Sequence, residues 1–207
     1  MQLDTPTRFF DDIRACWLPV ADGRKVIPFC TPVNPQPEAL VIGKNHSWFD
    51  PSPEREQQIA EAYANALPQV NTFLEHEHTF ATRLRKYTQA AGIDVTQNWV
   101  GTNRCAVQTG PDGIGELQQH SSFLACQKAM DGILLELIQW LEPKNILLFG
   151  TYAQALLYPK AKRLADTAPM RFELRSGAPS KVIPLPHLSF RGSPSAIVDV
   201  LRVEFER

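Results

Sequence analysis

The sequence predicts an α/β domain: a three-layer αβα sandwich around a central sheet of about four parallel strands. Three observations predict it. Short apolar runs, ALVIGKN (39–45), WVGTN (99–103), NILLFG (145–150) and KVIPLPH (181–187), have the length of strands buried on both faces. Helical patterns separate them, which favours parallel strands joined by crossover helices. Three runs end in a side chain suited to chemistry, Asn45, Asn103 and His187, and the fourth ends in Gly150 before a helical segment. In sheets of this type ligands bind at the carboxyl ends of the strands, so the chain delivers two amides and an imidazole to one edge.

Taken in order, residues 5–16 read as a short helix starting near Thr5 or Thr7. Five prolines fall within 17–37, so that stretch reads as irregular and residues 1–37 as an arm wrapping the core, not a second domain. The first strand is expected near 39–43. Ser52, Pro53, Glu54 and Glu56 then open a helix, with a cap, a residue suited to the first helical position and acids at the positive end of the dipole. A second helix is expected over 76–91, closed by Gly92. The second strand follows near 98–102, ahead of the glycine-rich TGPDGIGE (109–116).

Residues 118–142 carry the strongest helical pattern, with Phe123, Leu124, Met130, Leu134, Leu137, Ile138 and Leu141 near helical period and Pro143 as the stop. The third strand is expected at 145–149, with Thr151 capping a helix over 152–158. Segment 160–180 is basic and turn-rich, with room for a short strand at 170–174. The fourth strand is expected near 182–185 and a last helix over 194–206.

All 207 residues read as one domain, with the core running from 38 to 207. Hydrophobic content of 43% and charged content of 21% are those of an ordinary soluble globular protein. A formal net charge of −1 argues against a strongly basic nucleic-acid binder while leaving room for a local basic face. No run approaches a membrane span, and the amino-terminal segment lacks an apolar signal core, so a cytoplasmic location is expected. Cys16, Cys30, Cys105 and Cys126 form no CxxC pair and read as reduced core thiols.

Four stretches, in order, resemble the uracil-DNA glycosylase superfamily, over residues 38 to the carboxyl terminus. VIGKNHS is similar to its first motif, a strand and a glycine followed two residues on by Asp or Asn; here these are Gly43 and Asn45, with His46 where proline is usual. WVGTNRC resembles the strand ending in a base-reading asparagine, here Asn103. FLACQKAMDGILLELIQWLEPKNILLFGTYAQALL resembles the long helix, Pro-Lys, strand, glycine and short helix. PLPHLSFRG resembles the second catalytic motif, His-Pro-Ser and a DNA-entering loop, aligning His187, Leu188 and Ser189, with Leu188 where proline is usual. The resemblance sharpens the strand order to 2-1-3-4.

It also implies an activity: hydrolysis of the bond between a sugar and uracil, or another deaminated base, in DNA. The sugar gains oxocarbenium character and the base gains negative charge, so water must be held near the sugar carbon and the base oxygen needs a donor. By the resemblance, Asn45 and His187 are the catalytic residues. Asn45 orients water, since an amide is a poor base, and His187 donates to the departing base. Asn103 reads the base, its carboxamide matching a carbonyl and an N–H on the uracil edge. Outside the resemblance each has a plainer reading, as a loop cap or a satisfied histidine at a strand end. For the aromatic platform beneath the base, Trp48, Phe49 and Phe80 are available, and Phe80 is chosen; core packing is the bland alternative.

Lys44, Ser189, Phe190 and Arg191 are the expected DNA contacts, with Ser189 and Arg191 on phosphates and Phe190 as a wedge in the base stack. Lys44, Arg104 and Arg191 near the motifs set a salt slope of about −2 to −4. Arg83, Arg85 and Lys86 read as a solvated face that also suits phosphates. DNA is the expected partner, no membrane is expected, and the chain is expected to be a monomer.

No cofactor is expected. Some families of the superfamily carry an iron–sulfur cluster on four cysteines, two of them a close amino-terminal pair. Here Cys16 and Cys30 have thirteen residues between them, and Cys105 lies closer to Asn103 than the family's cysteine does. EHEH (75–78) has alternating residues that do not share a helix face, which argues against a metal site. The departures at His46 and Leu188 leave a non-catalytic module of the same fold, binding nucleic acid or protein, as the alternative. An unrelated α/β hydrolase or nucleotide-binding protein lacks support, because GxSxG and a phosphate loop after the first strand are both missing.

Overall fold

In the computed structural model the described residues are 5–46, 53–75, 78–109, 113–161, 167–188 and 194–206. The chain is α/β, built on a five-stranded, mostly parallel sheet. Its strands are β1 (Ala39–His46), β2 (Trp99–Gln108), β3 (Asn145–Phe149), β4 (Met170–Glu173) and β5 (Pro179–Leu185), in the order β2-β1-β3-β5-β4. β1, β2, β3 and β5 pair in parallel, and β4 joins β5 antiparallel. The sheet thus has one strand more than expected. The added strand is the run near 170–174. It forms a hairpin with β5 through turn residues that include Gly177, which has a positive φ.

Alternation along the strands sends side chains to two separate cores. Leu40, Ile42, Val100, Ile146, Leu148 and Val182 face α1 (Thr5–Ala21) and α5 (Phe123–Leu141). Ala39, Val41, Trp99, Leu147, Phe149, Ile183 and Leu185 face α3 (Thr72–Glu75), α4 (Thr79–Ala90) and α7 (Pro194–Glu204). α2 (Pro53–Asn65) adds a small satellite core of Ala60, Tyr63 and Ala64 against Ile27.

Helix boundaries moved where packing overrode local signals. α1 runs five residues past the expected end at residue 16 and takes in Pro19. A proline inside a helix costs about 3 kcal/mol. Trp17 and Val20 are fully buried beyond that expected end, and each such side chain contributes about 1.5–3 kcal/mol or more. The extension places Phe9, Ile13, Trp17 and Val20 on one helical face against α5. The single helix expected over 76–91 begins at Thr79, where His78 Nδ1 accepts from the Ala81 N–H as an N-cap. The helix expected from 118 begins at Phe123, after a 3-10 turn over Leu117–Gln119.

The arm has a definite place. Ile27 N–H donates to the Ala106 carbonyl, Cys30 N–H to that of Gly101, and Gln108 N–H to that of Lys25. Val26 and Phe29 form antiparallel bridges to Val107 and Thr102. Residues 25–30 therefore cover the outer edge of β2, which would otherwise offer unpaired backbone groups to another chain. Among the described residues no helix is long and apolar enough to cross a membrane.

Candidate functional site

The register places the site residues on two levels of the sheet. Asn103 on β2 pairs with Gly43 on β1; one residue below, Ile42 pairs with Leu148 and Leu148 with Pro184. Asn103, Gly43, Phe149 and Leu185 therefore form one row across the sheet, on the face of α3, α4 and α7. A Cβ at position 43 would overlap Asn103 Oδ1, so the carboxamide lies over the bare glycine and reaches from β2 toward β3. On the far side of that gap stands Phe149, with Phe80 packed edge-on against it at 5.3 Å between ring centroids. Phe80 also meets Phe73 at 6.1 Å and is half-buried. It shares a face with Asn103, as a platform requires, and it is held by core aromatics.

The expected strand end at Asn103 differs from the structure. β2 continues to Gln108, because Cys105, Ala106 and Val107 are fully buried under α1 and α5. Asn103 lies within the strand, 8% exposed, and its side chain makes no hydrogen bond among the described residues. The free carboxamide, not a chain end, marks the position.

Two residues further toward the carboxyl edge lie Asn45 and His187, each three positions beyond Ile42 and Pro184, which flank Leu148 in the register. Two strand spacings separate those backbone tracks, about 10 Å. Between them β3 is followed by Gly150, whose φ of 83° favours glycine and where a Cβ would sit 3.2 Å from His187 Cβ. α6 (Thr151–Gln154) starts there, and the Gly150 N–H donates to the Leu185 carbonyl. A side chain at 150 would push His187 away.

Asn45 is half-buried, and its Nδ2 donates to Thr109 Oγ1. Its Oδ1 has no donor among the described residues, so one acceptor points away from the anchor. The register shifts between Asn45 and His46, a bulge that re-aims side chains at the strand end. Thr109 is a site residue that sequence reading missed. It follows directly on β2 and opens the glycine-rich loop, and it came into view only once β2 ran on past Asn103.

His187 is half-buried. Burial lowers its pKa from 6.5, and Lys44 and Arg83 lower it further by charge repulsion. The imidazole is therefore neutral at pH 7 and carries one N–H. Lys44 is half-buried at the end of β1, with its Nζ 3.2 Å from where a Cβ on Gly113 would lie, beneath the glycine-rich loop.

Arg104, expected to help set the salt slope, is 4% exposed. Its guanidinium grips Asp131 through two bonds of 2.7 and 2.6 Å, donates to the Tyr152 carbonyl at 2.6 Å, and stacks over the Tyr152 ring. It is thus withdrawn from phosphates and ties β2 to α5 and α6. Arg83 and Arg85 are likewise not a simple solvated face: each donates to backbone carbonyls, Arg83 to Leu188 and Arg85 to Phe73 and Leu74. Ser189, Phe190 and Arg191, and the platform candidates Trp48 and Phe49, lie outside the described residues.

The cysteines divide between the cores. Cys105 and Cys126 lie on the α1–α5 face with Cys16 packed against them, whereas Cys30 lies on the α4 face. Cys30 thus packs in a different core from the other three cysteines. Burial pushes Cys16, Cys30 and Cys105 up to about 12, so these thiols are protonated at neutral pH. No protein-family model matches the chain, and no curated protein matches it.

Proposed function

We propose that this chain is a DNA glycosylase of the uracil-DNA glycosylase kind, hydrolysing the N-glycosidic bond of uracil or another deaminated base in base-excision repair. One observation carries the reading. A carboxamide that is unbonded among the described residues, an aromatic pair, an amide held only through its Nδ2 among those residues and a neutral imidazole lie on one face in the carboxyl half of the sheet, on two levels separated by two bare glycines. The strand order of the four parallel strands and the four motif stretches support it.

In this reading Asn103 takes the edge of a flipped base, offering a donor and an acceptor together, with Phe80 beside Phe149 as the flat wall. Asn45, held through its Nδ2 by Thr109, uses Oδ1 to accept from water and orient it toward the sugar carbon. Water oxygen bonds to that carbon as the carbon–nitrogen bond breaks. The base leaves with the bonding pair, and His187 stabilises the growing negative charge through its N–H. The water's proton passes to solvent. Lys44 is left to attract phosphate, since among the described residues it has no carboxylate partner.

The test is a nicking assay. Labelled oligonucleotides carrying uracil, hypoxanthine, xanthine or a thymine mismatch are incubated with protein and cleaved with alkali. Excision of at least one base is expected, and no excision from any of them overturns the reading. Leu188 and His46 at the motif's proline positions favour the second reading, a non-catalytic nucleic-acid-binding module. Salt-sensitive DNA binding without excision would establish it.

A further inference from the structure

We propose that Arg83 is the positioning residue for His187: its guanidinium holds the Leu188 carbonyl and so fixes the aim of the imidazole where the resembled motif relies on a proline ring. The inference rests on the catalytic reading of His187 and adds a residue that neither the motifs nor composition indicate.

A proline after the histidine would restrict that histidine to extended backbone and lock its own φ. Leucine does neither. The structure supplies two other restraints on the same residue. The Leu188 side chain is 2% exposed and packs with Leu185, Ile197 and Leu201. The Leu188 carbonyl accepts a 2.6 Å bond from Arg83 Nη1, from a residue 105 positions earlier in the chain. A charge-assisted bond of this kind is about twice as strong as a neutral one. Its donor stands on a firm element. α4 is capped by His78 and buries Ala81, Leu84 and Thr88 against the sheet, so the guanidinium stem has a stable base.

Charge points the same way. Among the described residues the charged groups acting on His187 are Lys44 from β1 and Arg83 from α4. Among the described residues neither has a carboxylate partner, and both lower the His187 pKa. Arg83 thus acts on His187 twice, through the backbone of the next residue and through space. Lysine can reproduce the charge, but it lacks the planar fork.

The experiment compares the parent protein with Arg83→Gln and Arg83→Lys. Three readouts are taken: the carbonyl-carbon NMR shift of Leu188, the NMR titration of His187, and single-turnover uracil excision, with melting temperature as a control. In Arg83→Gln the Leu188 carbonyl shift should move, His187 should titrate at higher pH, and excision should fall about 10- to 100-fold through misplacement of the donor. Arg83→Lys should keep the titration near that of the parent while the carbonyl shift and the excision rate still change. A parent-like Leu188 carbonyl shift in Arg83→Gln overturns the proposal whatever the rate does, and so does parent-rate excision by both variants. Should the parent excise no base, the glycosylase reading falls, while the carbonyl shift and the titration still decide whether Arg83 positions the histidine.

Discussion

The two ends of the sheet both carry asparagines, and they use them in opposite ways. At the amino end, Asn145 and Asn71 are fully buried and their carboxamides are satisfied. Asn145 Nδ2 donates to the carbonyls of Glu38 and Glu206 while its Oδ1 accepts from the Glu206 N–H. Asn71 donates to Thr96 and Trp99 and accepts from the Phe73 N–H. These residues stitch loops and the carboxyl terminus to the sheet. At the carboxyl end, Asn103 makes no side-chain hydrogen bond among the described residues, and Asn45 uses only its Nδ2. The chemistry of the side chain is the same throughout. What separates structure from candidate function is unspent hydrogen-bonding capacity beside a space left by glycine.

That contrast yields tests in descending order of effect. Largest is His187→Ala, which on the proposed glycosylase reading removes the donor to the departing base and should slow excision about 100- to 1000-fold, read by single-turnover assay. Asn45→Ala should cost a similar or smaller factor, and the double variant should cost less than the product of the two, because both groups act on one transition state. A folded His187→Ala protein working at the parent rate would remove the histidine from the mechanism.

Next is Gly43→Ala. The added methyl would occupy the place of Asn103 Oδ1, and the asparagine can swing aside, so the melting temperature should hardly change. On the proposed reading excision should nevertheless fall by about 100-fold, because the Asn103 carboxamide is displaced by roughly an ångström. Unchanged excision would show that the carboxamide over Gly43 is not the base reader.

At the other end the expectation inverts. Asn145→Ala takes both side-chain bonds from the Glu206 backbone and one from the Glu38 carbonyl, which keeps the Asn145 N–H, at about 1–3 kcal/mol. Urea unfolding should register that loss while excision per folded molecule stays at the parent level. Parent-like stability would erase the distinction between the two ends.

The smallest effect is in pH. The native pKa of His187 is below its unfolded value of 6.5, so the unfolded chain binds more protons as pH falls through that window. The stability contribution is therefore fully present above pH 6.5 and is lost as pH drops toward the native pKa. Denaturant melts from pH 7.5 to 5 should show a shallower decline for His187→Gln than for the parent. Parallel declines would mean that the imidazole is not depressed.

The core was readable because buried strands and amphipathic helices announce themselves through period and punctuation. Phe123, Met130, Leu134, Leu137, Ile138 and Leu141 repeat along one helical stripe and are buried, whereas Leu124, read as part of that stripe, is 75% exposed because it points away from the core. The run near 170–174 was harder to rank, since only every second residue of β4 is even partly buried and its partner is supplied by β5. Asn45, Asn103 and His187 were legible as residues next to apolar runs. Thr109 and Arg83 were not, because their roles depend on partners 64 and 105 positions away.

Local chemistry alone therefore dictated the element types, most of their order and the residues that can carry polar chemistry at strand ends. Tertiary structure decided the rest. It carried α1 past Pro19 because Trp17 and Val20 had a core to enter, and it ran β2 on past Asn103 because α1 and α5 covered the next residues. It withdrew Arg104 from solvent into the grip of Asp131, and it turned Arg83 onto the Leu188 carbonyl. Burial, hydrogen-bond satisfaction and charge are properties of what surrounds a residue, and those surroundings come from parts of the chain that sequence neighbours do not specify.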